Sequence, residues 1–352
     1  MSGNLLASVL SYRVLRRDAL QRGLDVVMVE HRGVGLSRTD TTGADLPLAE
    51  VTVEKAVDDL VAALDAAGIG RAVVYGSSYG SYLAQVFGAR YPNRVAGMVL
   101  DSPMLAADDV ALVHSYRRGL LWHGTGRLAT LVRELADSGL VSPTELGHVV
   151  QVVYEFAGPA TLARLLAARL RGRARRSWAR IATLGTGEIS GPGTRYLMEP
   201  DLVAGITHGQ LGYAHAPDGL PLDPQALFTD EATHAPAFTG DPLDLPATLP
   251  EFDWPTAVVS GARDLRTPRP LAERAVNLLS DAALVPLTDT GHSALDTHRL
   301  AALHVAHALT EHTHHRLPTL ANEIAALPRK GAAGLLGPII TRALALELTV
   351  FP

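Results

Sequence analysis

The chain has 352 residues, 47% of them hydrophobic and 19% charged, and contains no cysteine. Disulfide frameworks, thiolate metal sites, iron–sulfur clusters and a cysteine nucleophile are therefore excluded, and chemistry must come from Ser, His, Asp, Glu or a cofactor. With 31 basic against 36 acidic residues the net charge is −5, leaving no basic excess to neutralise nucleic-acid phosphates. At roughly 150 residues per domain the length suits about two domains, or one α/β domain carrying a large insertion.

In chain order, Leu5 to Gln21 can form a helix closed by Gly23. Asp25 to Glu30 (DVVMVE) follows as a short apolar, β-branched run that predicts a buried parallel strand. The run Leu5 to Leu10 is short and has no basic segment before it, so no secretory signal is legible and a cytoplasmic location is expected. From Thr52 to Ala67, Val53, Val57, Leu60, Val61 and Leu64 recur at helical spacing, predicting an amphipathic helix ended by Gly68. Ala72 to Tyr75 predicts a strand running straight into a turn and a helix that lasts until Pro92, and Val95 to Leu100 a further strand. The same alternation resumes late, with strands at Thr256 to Ser260 and Ala283 to Leu287, and helices at Leu271 to Leu279 and Ser293 to Leu309. Such alternation implies a parallel sheet wrapped by helices.

Residues 104–250 break the pattern. They offer helices at Arg127 to Ala136, Pro143 to Phe156 and Ala160 to Leu184, then a Pro-, Gly- and Asp-rich stretch, and read as a helical cap inserted in the sheet domain. The expected organisation is a core domain of residues 1–103 and 251–352 with a cap at 104–250. The C-terminal run from Gly331 is interrupted by Gly337, Pro338, Arg342 and Glu347, too broken for a span of about 20 apolar residues.

Gly76-Ser77-Ser78-Tyr79-Gly80 fits G-x-S-x-G between a strand and a helix, the setting of a nucleophile elbow. Small residues are needed two positions either side of a serine on so sharp a turn. Serine needs a base, and the base an orienting acid. For this elbow the order is Ser, acid, His, which selects Asp264, after the strand Thr256 to Ser260, and His292, after the strand Ala283 to Leu287. Asp101, directly after Leu100, is an alternative acid. His304, His307, His312, His314 and His315 gather near one helix without carboxylate or cysteine partners at ligand spacing, and no metal site is expected there.

Ala72 to Pro103, Val29 to Ser37 (VEHRGVGLS) and the loops around Asp264 and His292 together resemble the α/β-hydrolase superfamily, specifically its prolyl and tripeptidyl aminopeptidase branch. The resemblance implies an α/β-hydrolase fold, a mostly parallel sheet with flanking helices and a helical cap. It implies acyl transfer to water by Ser78, His292 and Asp264, with the Tyr79 amide as an oxyanion donor and no cofactor. A small peptide is the implied substrate, and an ester the alternative. The aminopeptidases also carry further strands and a His-Gly-rich loop ahead of the strand matching Asp25 to Glu30, supplying a second oxyanion donor; only residues 1–24 stand there, and Met1-Ser2-Gly3-Asn4 lacks the His-Gly. Two expectations follow: the natural start lies upstream, or the sheet re-pairs around an incomplete oxyanion hole in a weakly active or inactive protein. An aminopeptidase must hold a free amine, for which the cap offers Glu155, Glu188, Glu199, Asp201, Asp230 and Glu231. The arginines between Arg164 and Arg180 form a basic stretch, expected to be a solvated helix face.

Overall fold

The computed structural model describes residues 5–186, 200–212, 216–229, 233 and 236–350. Helices α1 (Leu5–Leu20) and α2 (Val53–Ala66) precede strand β1 (Ala72–Ser77), helix α3 (Tyr79–Arg90) and strand β2 (Val95–Asp101). Thr52 caps α2 by accepting from the Lys55 amide at 3.3 Å. Between β2 and β3 the described chain is helical: α4 (Asp109–Leu121), α5 (Arg127–Asp137), α6 (Pro143–Leu170) and α7 (Arg175–Ala182), then short turns of helix. Strand β3 (Thr256–Gly261), α8 (Arg269–Leu278), β4 (Ala282–Leu287), α9 (Ala294–Thr297), α10 (Arg299–Thr310), α11 (Leu317–Ala325) and α12 (Ala332–Val350) complete the chain.

Among the described residues, four strands form one wholly parallel sheet in the order β1-β2-β3-β4. Alternation along the central strands splits their side chains between two cores. Met98, Leu100 and Val258 face a core filled from α2, α3 and α8. Val99, Ala257, Val259, Val285 and Leu287 face the other, filled from α10 and α11. A separate core joins α5, α6, α7 and α12, and reaches the sheet domain through Leu265.

The segment Asp25 to Glu30 departs from expectation, since it forms no strand. Val27 is 46% and Met28 48% exposed, while Val26 packs partly against Leu15, Ala19 and Leu303. The reason is pairing. An apolar run becomes a buried strand only where a neighbour takes its backbone hydrogen bonds, and β1 pairs only with β2 among the described residues. Met1 to Asn4 lie outside the described residues.

The C-terminal run also departs from expectation, because α12 passes through Gly337 and Pro338 as a single helix. Its segment Ala333–Val350, of mean hydropathy 1.4, is long and apolar enough to cross a membrane by length and composition. In the fold it lies on α6 and α7. Glu347 accepts from the amides of Arg176 and Ser177 at the N-terminus of α7, at 2.9 and 2.7 Å, and a Cβ at Gly337 would stand 2.0 Å from the Phe156 carbonyl oxygen.

Helix α6 is bent at Gly158, whose φ is +83°, with Pro159 next. The bend seats the helical region on two loops of the sheet. A Cβ at Gly158 would meet the Arg263 guanidinium at 2.9 Å, and one at Gly291 would meet Glu155 at 2.8 Å.

Candidate active site

Every strand of a parallel sheet delivers its following loop to the same edge. Here those loops carry Ser78 after β1, Asp101 and Ser102 at the end of β2, Asp264 after β3 and His292 after β4. Ser78 has φ +53° and ψ −123°, a strained conformation for a residue with a side chain. Its amide donates to the Asp101 carbonyl at 2.9 Å, and its carbonyl accepts from the Ser81 amide at 2.8 Å. A Cβ at Gly76 would sit 2.1 Å from the Gly80 carbonyl oxygen, so glycine is obligatory there. At Gly80 itself a Cβ would meet nothing within 4 Å. The small-residue requirement expected on both sides of the serine thus holds sterically only on the strand side.

His292 Nδ1 lies 3.0 Å from Asp264 Oδ2 and 3.2 Å from Oδ1. Asp264 is buried and also accepts from the amides of Arg266 and Thr267 and from the Thr267 hydroxyl, each at 2.9 Å. Burial alone would raise its pKa; the charge and hydrogen bond of His292, with the two amides, outweigh that and hold it below the usual carboxylate value. Burial likewise pushes His292 down, and Asp264 more than reverses the effect, leaving its pKa above 6.5. With Nδ1 directed at the carboxylate, Nε2 is the nitrogen left to exchange a proton. Ser78 and His292 line one cavity of about 470 Å³, together with Tyr82, Met104, Val110, Val113, Phe228 and others.

Asp101, the alternative acid, does not reach His292. Its carboxylate is buried and accepts from the amides of Ala294 and Leu295 at 3.0 and 2.8 Å and from the Tyr75 hydroxyl at 3.0 Å. Burial, the largest influence, raises its pKa to about 6 against these donors. It anchors the turn that follows His292.

Around Arg32 to Ser37 the glycine pattern is structural. Arg32 makes a bidentate pair with Asp59, both contacts at 2.7 Å. Glu30 accepts from the Ser37 amide at 2.9 Å, and its Oε1 would lie 2.2 Å from a Cβ at Gly35, whose φ is +61°. His31 Nε2 meets the Tyr79 hydroxyl at 2.9 Å.

The amine-binding carboxylates suggested by sequence fare poorly. Glu155 is buried behind the acid loop, 3.3 Å from Arg266 Nε and 3.3 Å from the Leu265 amide, and does not line the cavity of Ser78. Asp201 pairs with Arg38 at 2.9 Å, and Glu188, Glu199, Asp230 and Glu231 lie outside the described residues. Two carboxylates that sequence reasoning missed do line the cavity, Asp109 and Asp241. Asp109 is engaged by the amides of Leu105 and Ala106 and by Arg274 at 3.1 Å, whereas Asp241 accepts from the Ala107 amide at 3.2 Å. Arg117, His148, Gln151, Gln225, Arg266 and Thr267 add further polar lining that the sequence did not announce. The one available signal was that residues 109–121 can form a helix directly after the β2 loop. From the basic stretch, Arg164, Arg171, Arg175, Arg176 and Arg180 are exposed, and none lines the cavity.

Among the described residues, one group of His and acid side chains brings three ligand atoms within 4.8 Å of one another: His114, Asp218 and Asp223. Arg118 stands 2.7 Å from Asp218 and already supplies a cation there. In the C-terminal histidine group, His314 pairs with Asp281 at 2.8 Å.

Residues 3–120 match the family described as the alpha/beta hydrolase fold. This is an α/β-hydrolase fold. The match takes in strand β1, the turn at Ser78 and helix α3. Solved α/β-hydrolase structures similar to the chain include a proline iminopeptidase from Mycobacterium smegmatis, 18% identical over 85% of this chain and 86% of that one, with a TM-score of 0.48. A hydrolase from Pseudomonas aeruginosa is 17% identical over 88% of this chain and 86% of its own, with a TM-score of 0.44. A meta-cleavage product hydrolase from Pseudomonas fluorescens is 15% identical over 87% and 86%, also with a TM-score of 0.44. Among curated proteins the sequence finds no significant match.

Proposed function

We propose that the chain is a serine hydrolase that transfers an acyl group to water. The observation that carries this reading is Ser78, strained at φ +53° on its turn and facing the same cavity as a histidine held 3.0 Å from a buried aspartate. In the mechanism, Ser78 Oγ attacks the substrate carbonyl while His292 Nε2 takes its proton, and Asp264 stabilises the imidazolium. The Tyr79 amide, at the start of α3, donates to the oxyanion. His292 then protonates the leaving group, and water repeats the sequence to release Ser78.

Within that class the leading substrate is a small peptide with a free N-terminus. Asp241 supports it, as a cavity carboxylate with no ion-pair partner among the described residues, placed to receive an ammonium group. A carboxyl ester is the second reading, supported by the apolar lining of Val110, Val113, Leu227 and Phe228.

A fluorophosphonate should label the wild type and not Ser78→Ala. Turnover of a proline arylamide against a 4-nitrophenyl ester then ranks peptidase and esterase. Absence of labelling in folded wild type would leave a non-catalytic hydrolase-fold protein.

A further inference from the structure

Arg117 is 1% exposed yet lines the cavity of Ser78 and His292. Its Nη1 donates to the neutral Gln151 at 2.5 Å, and its Nε is buried with no acceptor. Among the described residues no carboxylate comes within ion-pair distance of it. The neighbouring acids are committed elsewhere. Glu155 accepts from the Leu265 amide and stands 3.3 Å from Arg266 Nε, Asp223 takes the amides of Asp218 and Gln225 at 2.7 and 2.8 Å, and Asp109 has Arg274 and two amides; the charges of Glu155 and Asp223 reach Arg117 only from beyond ion-pair distance and do not offset its burial.

A guanidinium removed from water without a counter-charge is costly. Burial pushes the Arg117 pKa down to about 10, so the group remains a cation at neutral pH. Arg117 borders the cavity as a buried cation whose Nε, itself shut off from solvent, has no acceptor, and the edge of a guanidinium is the complement of an anion with two adjacent oxygens. We infer that Arg117 holds a carboxylate of the substrate, so that the cavity selects acyl compounds bearing a carboxylate over neutral ones. This rests on the serine-hydrolase reading above and extends it to substrate charge. The carboxylate has two sources: the acyl side, as in a dicarboxylic half-ester, or the leaving side, as in the C-terminus of a dipeptide whose amine faces Asp241.

Two matched pairs test it in the wild-type chain. The acyl-side pair is the 4-nitrophenyl half-ester of glutaric acid against 4-nitrophenyl pentanoate, and the leaving-side pair is prolyl-alanine against prolyl-alanine amide. The anionic member of one pair should be preferred at least about tenfold in kcat/KM, the scale of a charged hydrogen bond. The pair that shows the preference identifies the side. Arg117→Gln should abolish the preference and Arg117→Lys restore part of it. Should Arg117→Gln fail to fold, glutarate should still protect wild-type Ser78 from the fluorophosphonate where glutaramide does not. Equal turnover within both pairs, a preference that survives Arg117→Gln, or equal protection by the two diacid derivatives would overturn the inference while leaving the hydrolase reading intact. If Ser78 never labels, the hydrolase reading fails on its own, and calorimetry of glutarate against glutaramide on wild type and Arg117→Lys decides the Arg117 site: tighter glutarate binding that weakens in the variant supports it, and no difference overturns it.

Discussion

Two aspartates at one sheet edge, both buried, shift in opposite directions, because the partners of Asp264 outweigh its burial and those of Asp101 do not. Asp264 sits beside His292 and keeps its charge, and in return it lifts the histidine above 6.5. In its proposed role of general base His292 must be neutral, so kcat/KM should rise with pH through a midpoint above 6.5. In Asp264→Asn the burial that depresses the imidazole is opposed only by the weaker influence of Glu155, and the midpoint should move to lower pH. By the behaviour of other triads kcat should also drop by about 10⁴. A pH–rate profile whose acid limb stays in place would argue against this pairing. Asp101 has the reverse sign. Its pKa is raised from 3.8 to about 6 in the fold, so ionising it costs stability, a cost absent below 3.8 and fully present above about 6. The gap amounts to roughly 3 kcal/mol. Denaturant unfolding of wild type between pH 4 and 6 should therefore carry a destabilising component that Asp101→Asn lacks, whatever the variant's stability at any single pH; parallel profiles would count against it.

At the scale of elements, the site depends on close backbone approach. A Cβ at Gly261 would lie 2.2 Å from the Gly291 carbonyl oxygen and 2.3 Å from that of Thr290, so the end of β3 touches the loop that presents His292. Gly261→Ala must push that loop away, and small displacements at reacting groups are expensive. We expect kcat to fall by about 10² with a smaller loss in Tm, read from steady-state kinetics and thermal unfolding. Unchanged kcat in the folded variant would show that the loop can yield without moving His292. The elbow obeys the same logic at Gly76, where strand and helix meet backbone to backbone. These requirements were partly legible. The G-x-S-x-G spacing revealed the first, but nothing in the residues around Gly261 announced that it faces Thr290 and Gly291, because that contact joins segments brought together only by the β3–β4 pairing.

For the molecule as a whole, α12 is a structural strap over the helical region. Gly337 rides on the Phe156 carbonyl, Thr341 Oγ1 meets Thr161 Oγ1 at 3.2 Å, and Ile340 and Leu344 are buried in the core of α5, α6 and α7. Leu336 and Phe156 reach the cavity of Ser78. Gly337→Val should lift this helix and cost about 1–3 kcal/mol, the usual range for overpacking, with KM affected through the displaced cavity wall. An unaltered denaturation midpoint would contradict the strap.

The sequence by itself determined the repeating units and nominated the groups proposed to react. Periodicity marked the strands from β1 to β4 and most helices, and the elbow spacing singled out Ser78. The order of motifs singled out Asp264 and His292. These signals are local, carried by neighbours in the chain. The tertiary structure decided what local signals cannot carry. Asp25 to Glu30 read as a strand but lack a ladder partner, and an interrupted C-terminal run closes into one helix because α6 and α7 receive it. Arg117, an unremarkable helix residue in sequence, is buried beside the cavity of Ser78 with no carboxylate at ion-pair distance among the described residues. Pairing, burial and uncompensated charge are relations between distant segments, and they exist only once the chain has folded.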